Sequence, residues 1–274
     1  MNAPTLISIV TPSFNQGNFI EDTIRSVLEQ DYPNVEHIVI DGGSTDNTLE
    51  ILHRYDGRIR WLSEPDEGQA DAINKGLQMA NGQILAYLNS DDSYLPGALK
   101  IVAESFATHP EVGLVYGDCY AVDQQGQQYG LIKGRPFHVQ RMIMRGEFVP
   151  QQAAFWSRRA MELVGVFDSS LHFCMDHDFF IRIGQRFPAL YIAQPLANFR
   201  FHADSKTVSR EEKHWRESML VSRRYGLSRR SAWYWIRTLR HRGLRLLPNP
   251  LGQTIRRMLN RPYDPVVAQR RMHS

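Results

Sequence analysis

Ile84-Leu85-Ala86-Tyr87-Leu88-Asn89-Ser90-Asp91-Asp92 is the stretch whose reading decides the fold. Residues 84–88 form a short apolar run of the kind that fills a strand buried on both faces. Asn89, Asp91 and Asp92 follow at once, and Pro96 and Gly97 close the loop. Open α/β sheets bind ligands just beyond the carboxyl ends of their strands. Two carboxylates at such a place repel each other and lose hydration unless water or a cation neutralises them. Hard oxygen ligands suit Mg²⁺ or Mn²⁺, and such a cation suits a diphosphate. The same residues also make an Asp-rich turn and helix cap, and on this stretch alone the two readings balance.

Upstream, Leu6-Ile7-Ser8-Ile9-Val10 reads as a first strand, followed by the loop Thr11-Pro12-Ser13-Phe14-Asn15. A helix from about Asn18 to Gln30 buries Phe19, Ile20, Ile24, Val27 and Leu28 and stops before Pro33. Val35 to Ile40 is a second strand, with Asp41 at its end and Gly42-Gly43-Ser44 turning the chain. Ile59 to Leu62 is a third, and a helix from about Gln69 to Met79 delivers the chain to residues 84–88. Strands alternating with helices at this spacing predict βαβ units and a parallel sheet. Neither G-x-G-x-x-G after the first strand nor G-x-x-x-x-G-K-[ST] occurs, which argues against ordinary dinucleotide and P-loop ATP sites. Asp41 offers an acceptor to a base N–H or a ribose hydroxyl, and Phe14 a stacking face. Taken singly, Asp41 serves equally as a turn cap and Phe14 as core.

Downstream, a helix runs from Pro96 to about His109 and a strand from Val112 to Asp118. Residues 119–147 read as irregular, with the character of a flap over a site. Phe148 to Trp156 reads as a strand whose amides, Gln151 and Gln152, can hold hydroxyl-rich ligands. Asp176 and Asp178 open a helix whose apolar face includes Phe179, Phe180 and Ile183. Acids there either cap the helix or supply a general base. Arg182, one turn after Asp178, is its expected ion-pair partner, which leaves Asp176 the freer carboxylate.

The 274 residues, 42% hydrophobic and 22% charged, hold one large α/β domain and an appendage. No apolar run reaches 18 residues, so no spanning helix is expected. Met1 to Thr5 lacks a basic leader, and Cys119 and Cys174 form neither a disulfide framework nor a zinc motif. A cytoplasmic protein is the expectation. The net charge of +3 hides an asymmetry: residues 1–204 carry 15 basic and 25 acidic side chains, residues 205–274 carry 17 and 4. A body over 1–204 and a basic helical extension over 205–274 follow. Residues 218–262 contain eleven Arg and no acid, with Ala232, Trp235, Ile236, Leu239, Gly243 and Leu246 at helical spacing. Arg237, Arg240, Arg242 and Arg245 lie off that stripe. An Arg-rich amphipathic helix with Trp suits an anionic membrane surface; equally, its apolar face can pack on the body. The acidic body disfavours nucleic acid.

In this order the motifs resemble an inverting family 2 glycosyltransferase with the GT-A fold, over roughly residues 5–205. The resemblance rests on Ile9-Val10-Thr11-Pro12-Ser13-Phe14-Asn15, Val39-Ile40-Asp41-Gly42-Gly43-Ser44-Thr45-Asp46, Glu64-Pro65-Asp66-Glu67-Gly68 leading into Asn74-Lys75-Gly76, Leu88-Asn89-Ser90-Asp91-Asp92 and Met175-Asp176-His177-Asp178. It implies an α/β fold with a mixed, mostly parallel sheet flanked by helices. It places Thr11, Pro12, Phe14, Asp41, Lys75 and Asn89 at the donor nucleotide, with Asn89 where the family carries the first Asp of its D-x-D motif. Asp91, with Asp92 and His202, would hold Mg²⁺ or Mn²⁺; Asp176 would be the base; Gln151, Gln152 and Asp178 would face the acceptor. Met175 stands where the family carries Glu. The implied reaction moves a sugar from a UDP-, GDP- or dTDP-linked donor to a hydroxyl of a saccharide or lipid-linked acceptor, in surface-polysaccharide assembly at the inner membrane face. The rival is a catalytically silent carbohydrate- or nucleotide-binding module on the same fold.

Overall fold

β1 (Ile7–Ser13) is buried along its whole length: Ile7, Ile9 and Val10 pack in the core, and the hydroxyls of Ser8 and Thr11 are bonded to Glu36 and His37 of the neighbouring strand. In the computed structural model, which describes residues 4–202 and 211–246, β1 pairs in parallel with β2 (Val35–Asp41) and β4 (Ile84–Tyr87). β3 (Arg60–Ser63) extends the parallel set beyond β2. The connections are α1 (Ile20–Leu28), α2 (Thr48–His53) and α3 (Gln69–Met79). Gly76 lets α3 lie flush on β1, since a β-carbon there would come within 2.3 Å of Val10 Cγ1. Asn74 clamps the same helix to the layer beside it by a two-way bond with the Phe167 backbone, 2.9 and 3.0 Å.

The sheet then turns mixed. β5 (Ser93–Tyr94) and α4 (Ala98–Thr108) lead to β6 (Leu114–Val122), β7 (Gln128–Ile132), α5 (Val139–Arg145) and β8 (Ala154–Ser157). After α6 (Arg158–Val164) and α7 (Met175–Gly184), β9 (Ala189–Arg200) completes the order β3-β2-β1-β4-β8-β6-β9-β5, with β7 on β6. β8 runs antiparallel to both β4 and β6, while β9 runs parallel to β6. An aromatic cluster of Trp156, Phe167, Phe179 and Phe180 fills the space between this half and α7.

Two expectations are corrected here. Residues 119–147 are not an irregular flap but the β6–β7 hairpin followed by α5. Asp123 closes the hairpin by accepting the Gln125 and Gln127 N–H groups, and Gly126 takes the positive φ of +83° that the turn requires. Gln151 and Gln152 lie in a 3-10 turn (Gln151–Ala153) after Pro150, so the strand starts only at Ala154.

The last described helices are α8 (Glu211–Arg224) and α9 (Ala232–Leu246). They pack on the body, with Val221 and Leu227 fully or almost fully buried. α9 turns its mixed polar face inward: Thr238 and His241 are buried, and Arg237 donates to the Ile143 carbonyl, Ser218 and Ser222. The apolar stripe faces outward, with Trp235 53%, Ile236 39% and Leu239 65% exposed. The packing alternative thus holds for the helix but through the opposite face. The expected domain boundary at 204, the side chains of Arg242, Arg245 and Leu246, and residues 247–262 lie outside the described residues.

Candidate active site

The order β3-β2-β1-β4 reverses direction at β1, and the loops after these strands meet at that switch point. Side chains of the first two motifs lock the loops to each other. Asn15, at φ 53°, accepts the Thr45 N–H at 2.8 Å and gives its own N–H to Ser44 Oγ at 2.7 Å. Thr11 is buried, its hydroxyl 2.9 Å from His37 Nε2 in β2, and Pro12 is buried beside it. Phe14 is 58% exposed at the rim, free to stack on a planar ligand.

Asp41 does not open into this space. Its carboxylate is fully buried and accepts the Gly43 and Ser44 N–H groups (3.1 and 2.8 Å) and the hydroxyls of Ser44 and Ser63. The expected base contact is therefore corrected: burial of a carboxylate requires such donors, and having them it shapes the turn. Asp66 occupies the rim instead, its Oδ2 2.7 Å from where a β-carbon on Gly42 would stand, with Phe14 Cδ2 at 3.4 Å. The signal for Asp66 is present in Glu64-Pro65-Asp66-Glu67-Gly68, but no spacing rule ranks it above its neighbours. Lys75 pairs with Glu64 (2.9 Å) and Asp71 (3.2 Å) and so pins this loop to α3.

After β4, Asp91 and His202 meet at 2.9 Å, and the His202 ring packs on Phe19 with centroids 4.6 Å apart. Asp92 turns the other way. It is 1% exposed and accepts the Arg200 N–H (2.9 Å) and Asn89 Nδ2 (3.0 Å), with Gln152 donating to it as well. Burial, then the neighbouring Asp91 charge, raise its pKa well above the carboxylate range. Asp92 thus braces the loop behind Asp91. Gln151 donates to the Tyr87 carbonyl at 2.8 Å. Both glutamines are buried under the loop, which corrects their expected acceptor-side placement: their amides satisfy buried polar groups that have no water to bind.

Arg200 organises this loop, yet nothing in the sequence points to it. Its guanidinium donates to the Asp91 and Gln124 carbonyls (2.9 and 2.8 Å) and pairs with Asp22 (2.9 Å). No motif marks it, because its partners lie 76 to 178 residues away in sequence.

Asp176 is the second residue of α7. Among the bonds seen for its carboxylate is one from the His177 N–H at 2.7 Å. Burial pushes its pKa up to about 6, against the lowering effect of that bond, and Glu217 pushes it further up. Tyr87, at the end of β4, lies within electrostatic reach of both Asp176 and Asp92, and both raise its pKa after the larger effect of burial. Asp178 is 1% exposed and bonded to Arg182 (2.9 Å), Arg224 (3.0 Å) and Tyr225 (2.9 Å). The Arg182 pairing is as expected; an acceptor-side role for Asp178 is corrected, because three partners enclose it. That leaves Asp176 as the carboxylate poised between protonation states, the condition a general base needs.

This mixed, mostly parallel sheet with its loops gathered at the strand ends is the GT-A fold of glycosyltransferases. Residues 8–163 match the family described as Glycosyl transferase family 2, and the chain belongs to that family. It is 33% identical over 187 residues to an uncharacterised glycosyltransferase of Mycobacterium tuberculosis, covering 66% of this chain and 69% of that one. It is 25% identical over 213 residues to the hyaluronan synthase of Pasteurella multocida, covering 77% of this chain but 22% of the synthase. Among solved structures, Staphylococcus aureus TarS with UDP-GlcNAc superposes with TM-score 0.66 at 18% identity, over 79% of this chain and 65% of that one. A mannosyltransferase of Pyrobaculum calidifontis with GDP-Man and Mn²⁺ gives 0.61 at 18%, over 80% and 65%. At that identity the structures speak for the fold.

Proposed function

We propose that this enzyme transfers a sugar from a nucleoside-diphosphate sugar to an acceptor hydroxyl with inversion, in polysaccharide assembly. The observation that carries the reading is the Asp91–His202 pair at the end of β4, with the raised Asp176 carboxylate, like Asp92, within electrostatic reach of Tyr87. Phe14, the Gly42 backbone and Asp66 form the rim against which a base would stack, and Asp41 holds that rim in shape. Asp176 takes the proton of the acceptor hydroxyl as its oxygen attacks the anomeric carbon opposite the nucleotide. One displacement inverts that carbon and releases the nucleoside diphosphate. Such a general base contributes about 10²–10⁴-fold.

A divalent cation fits the residues present. Asp91 and His202 supply one carboxylate and one imidazole nitrogen, while the described residues contain no cluster of three or more His, Cys, Asp and Glu able to hold a metal. Two protein donors suit Mg²⁺ or Mn²⁺ that fills its shell with diphosphate oxygens and water. When bound, the ion supplies Lewis-acid stabilisation of the departing diphosphate, worth several kcal/mol. Support for a nucleotide-sugar donor comes also from the UDP-GlcNAc and GDP-Man in the structural neighbours, and for Mn²⁺ from the second of these. The test is release of nucleoside diphosphate from a panel of UDP-, GDP- and dTDP-sugars with Mn²⁺. One nucleotide class is expected to turn over; no release from any donor, with or without acceptor saccharides, would favour a silent binding module.

The acceptor is read as lipid-linked, at an anionic membrane surface. No described helix is long and apolar enough to cross a membrane. The support is the outward stripe of Trp235, Ile236 and Leu239 with exposed Arg229 and Arg230 beside it. Flotation with anionic vesicles is expected to carry the full chain upward. Trp235→Glu with Leu239→Glu should leave it at the bottom, and equal flotation of both would remove the membrane reading.

A further inference from the structure

The segment that presents Asp176 is not held by its own residues. Cys174, the N-cap of α7, makes no side-chain capping bond, so its own N–H and those of the turn leading into it need an acceptor from elsewhere. Glu217 of α8 supplies it. Its carboxylate accepts three successive main-chain N–H groups: His172 at 3.1 Å, Phe173 at 2.6 Å and Cys174 at 2.7 Å. The far end of α8 grips the same segment again. Arg224 pairs with Asp168 (2.8 Å) and Asp178 (3.0 Å), and the Tyr225 hydroxyl donates to Asp178 (2.9 Å). Asp176 thus lies between two anchors contributed by one helix more than forty residues downstream.

We propose that Glu217 is a positioning residue for Asp176, so that α8 is a working part of the active centre and not an appendage to it. This rests on the reading of Asp176 as the base. Placement matters because a shift of about 1 Å in a reacting group costs on the order of 10²-fold in rate. The groups that face Asp176 are Tyr87 from β4, Cys174 from its own turn and Glu217 from α8. Of these, Glu217 raises the Asp176 carboxyl through its charge, after the larger effect of burial. Glu217 is one of only four acids in residues 205–274. That isolation is its signal in the sequence, although nothing there indicates what it reaches.

The experiment compares Glu217→Ala, Glu217→Gln and Asp176→Asn in the full chain, reading kcat, donor KM and the pH profile of kcat. Glu217→Ala is expected to lose about 10- to 100-fold in kcat with donor KM within about twofold, because the donor loops lie elsewhere. Glu217→Gln keeps an acceptor oxygen and should recover most of kcat. Its acid limb should move to lower pH, because the negative charge facing Asp176 is gone. If Glu217→Ala does not fold, Glu217→Gln decides alone: an acid limb at the wild-type position overturns the proposal. Loss of turnover in Asp176→Asn beside a wild-type kcat in Glu217→Ala overturns the positioning role and leaves the base in place. Wild-type turnover in Asp176→Asn overturns the base assignment and the positioning role together.

Discussion

Asp176→Asn is expected to lower kcat by about 10²–10⁴-fold while making the protein more stable at pH 7.5. Both effects come from one property. The carboxyl sits near 6 when folded, chiefly through burial, against about 4 in an unfolded chain. The folded state therefore holds its proton more tightly, and stability falls as pH climbs from about 4 to about 6. Above 6 the buried anion costs the fold a fixed amount, about 1–3 kcal/mol after allowing for its partial exposure. The neutral amide removes that cost. Thermal melts should show Asp176→Asn above wild type at pH 7.5 and level with it at pH 4. Wild-type turnover should follow the ionised fraction, falling about tenfold per pH unit well below 6. A variant that is less stable at pH 7.5, or that still turns over, would remove Asp176 from its role. A trade of stability for activity at one residue is the ordinary signature of a functional site.

Much of this site is legible in the order of residues alone. The parallel half is readable because each strand and its following helix are contiguous in sequence. The helix over Gln69–Met79 has the bounds its apolar spacing predicts. The clusters after β1, β2 and β4 lie together because strand ends in such sheets converge. What fails involves carboxylates and amides whose partners are distant. Residue type and position make ligand contacts of Asp41, Asp178, Gln151 and Gln152, yet each is buried against donors or acceptors of its own fold. A buried polar group must be satisfied, and which group satisfies it is a three-dimensional fact. Arg200 and Glu217 are the converse: neither lies in a motif, and their reach across the fold holds the Asp91 loop and the Asp176 turn. The outward apolar stripe of α9 shows the limit of periodicity, which finds a face without saying which way it points.

Asp91→Ala carries the other large effect. Asp91 is the one member of its loop whose carboxylate meets His202 at the surface of the site, while Asp92 is spent on Arg200 and Asn89. Removing it leaves one imidazole to hold a divalent ion. The Lewis-acid contribution of several kcal/mol should go with it, lowering kcat by about 10²–10³-fold. The fold should survive, because Arg200 bonds the Asp91 backbone carbonyl and not its side chain.

The most direct measurement is calorimetric titration of the matching nucleoside diphosphate into wild type, Asp91→Ala and Asp176→Asn, with and without Mn²⁺. The expected result is that Mn²⁺ tightens binding in wild type and in Asp176→Asn, and adds nothing in Asp91→Ala. Equal Mn²⁺ enhancement in all three proteins, or none in wild type, would contradict a metal-assisted donor site at the end of β4.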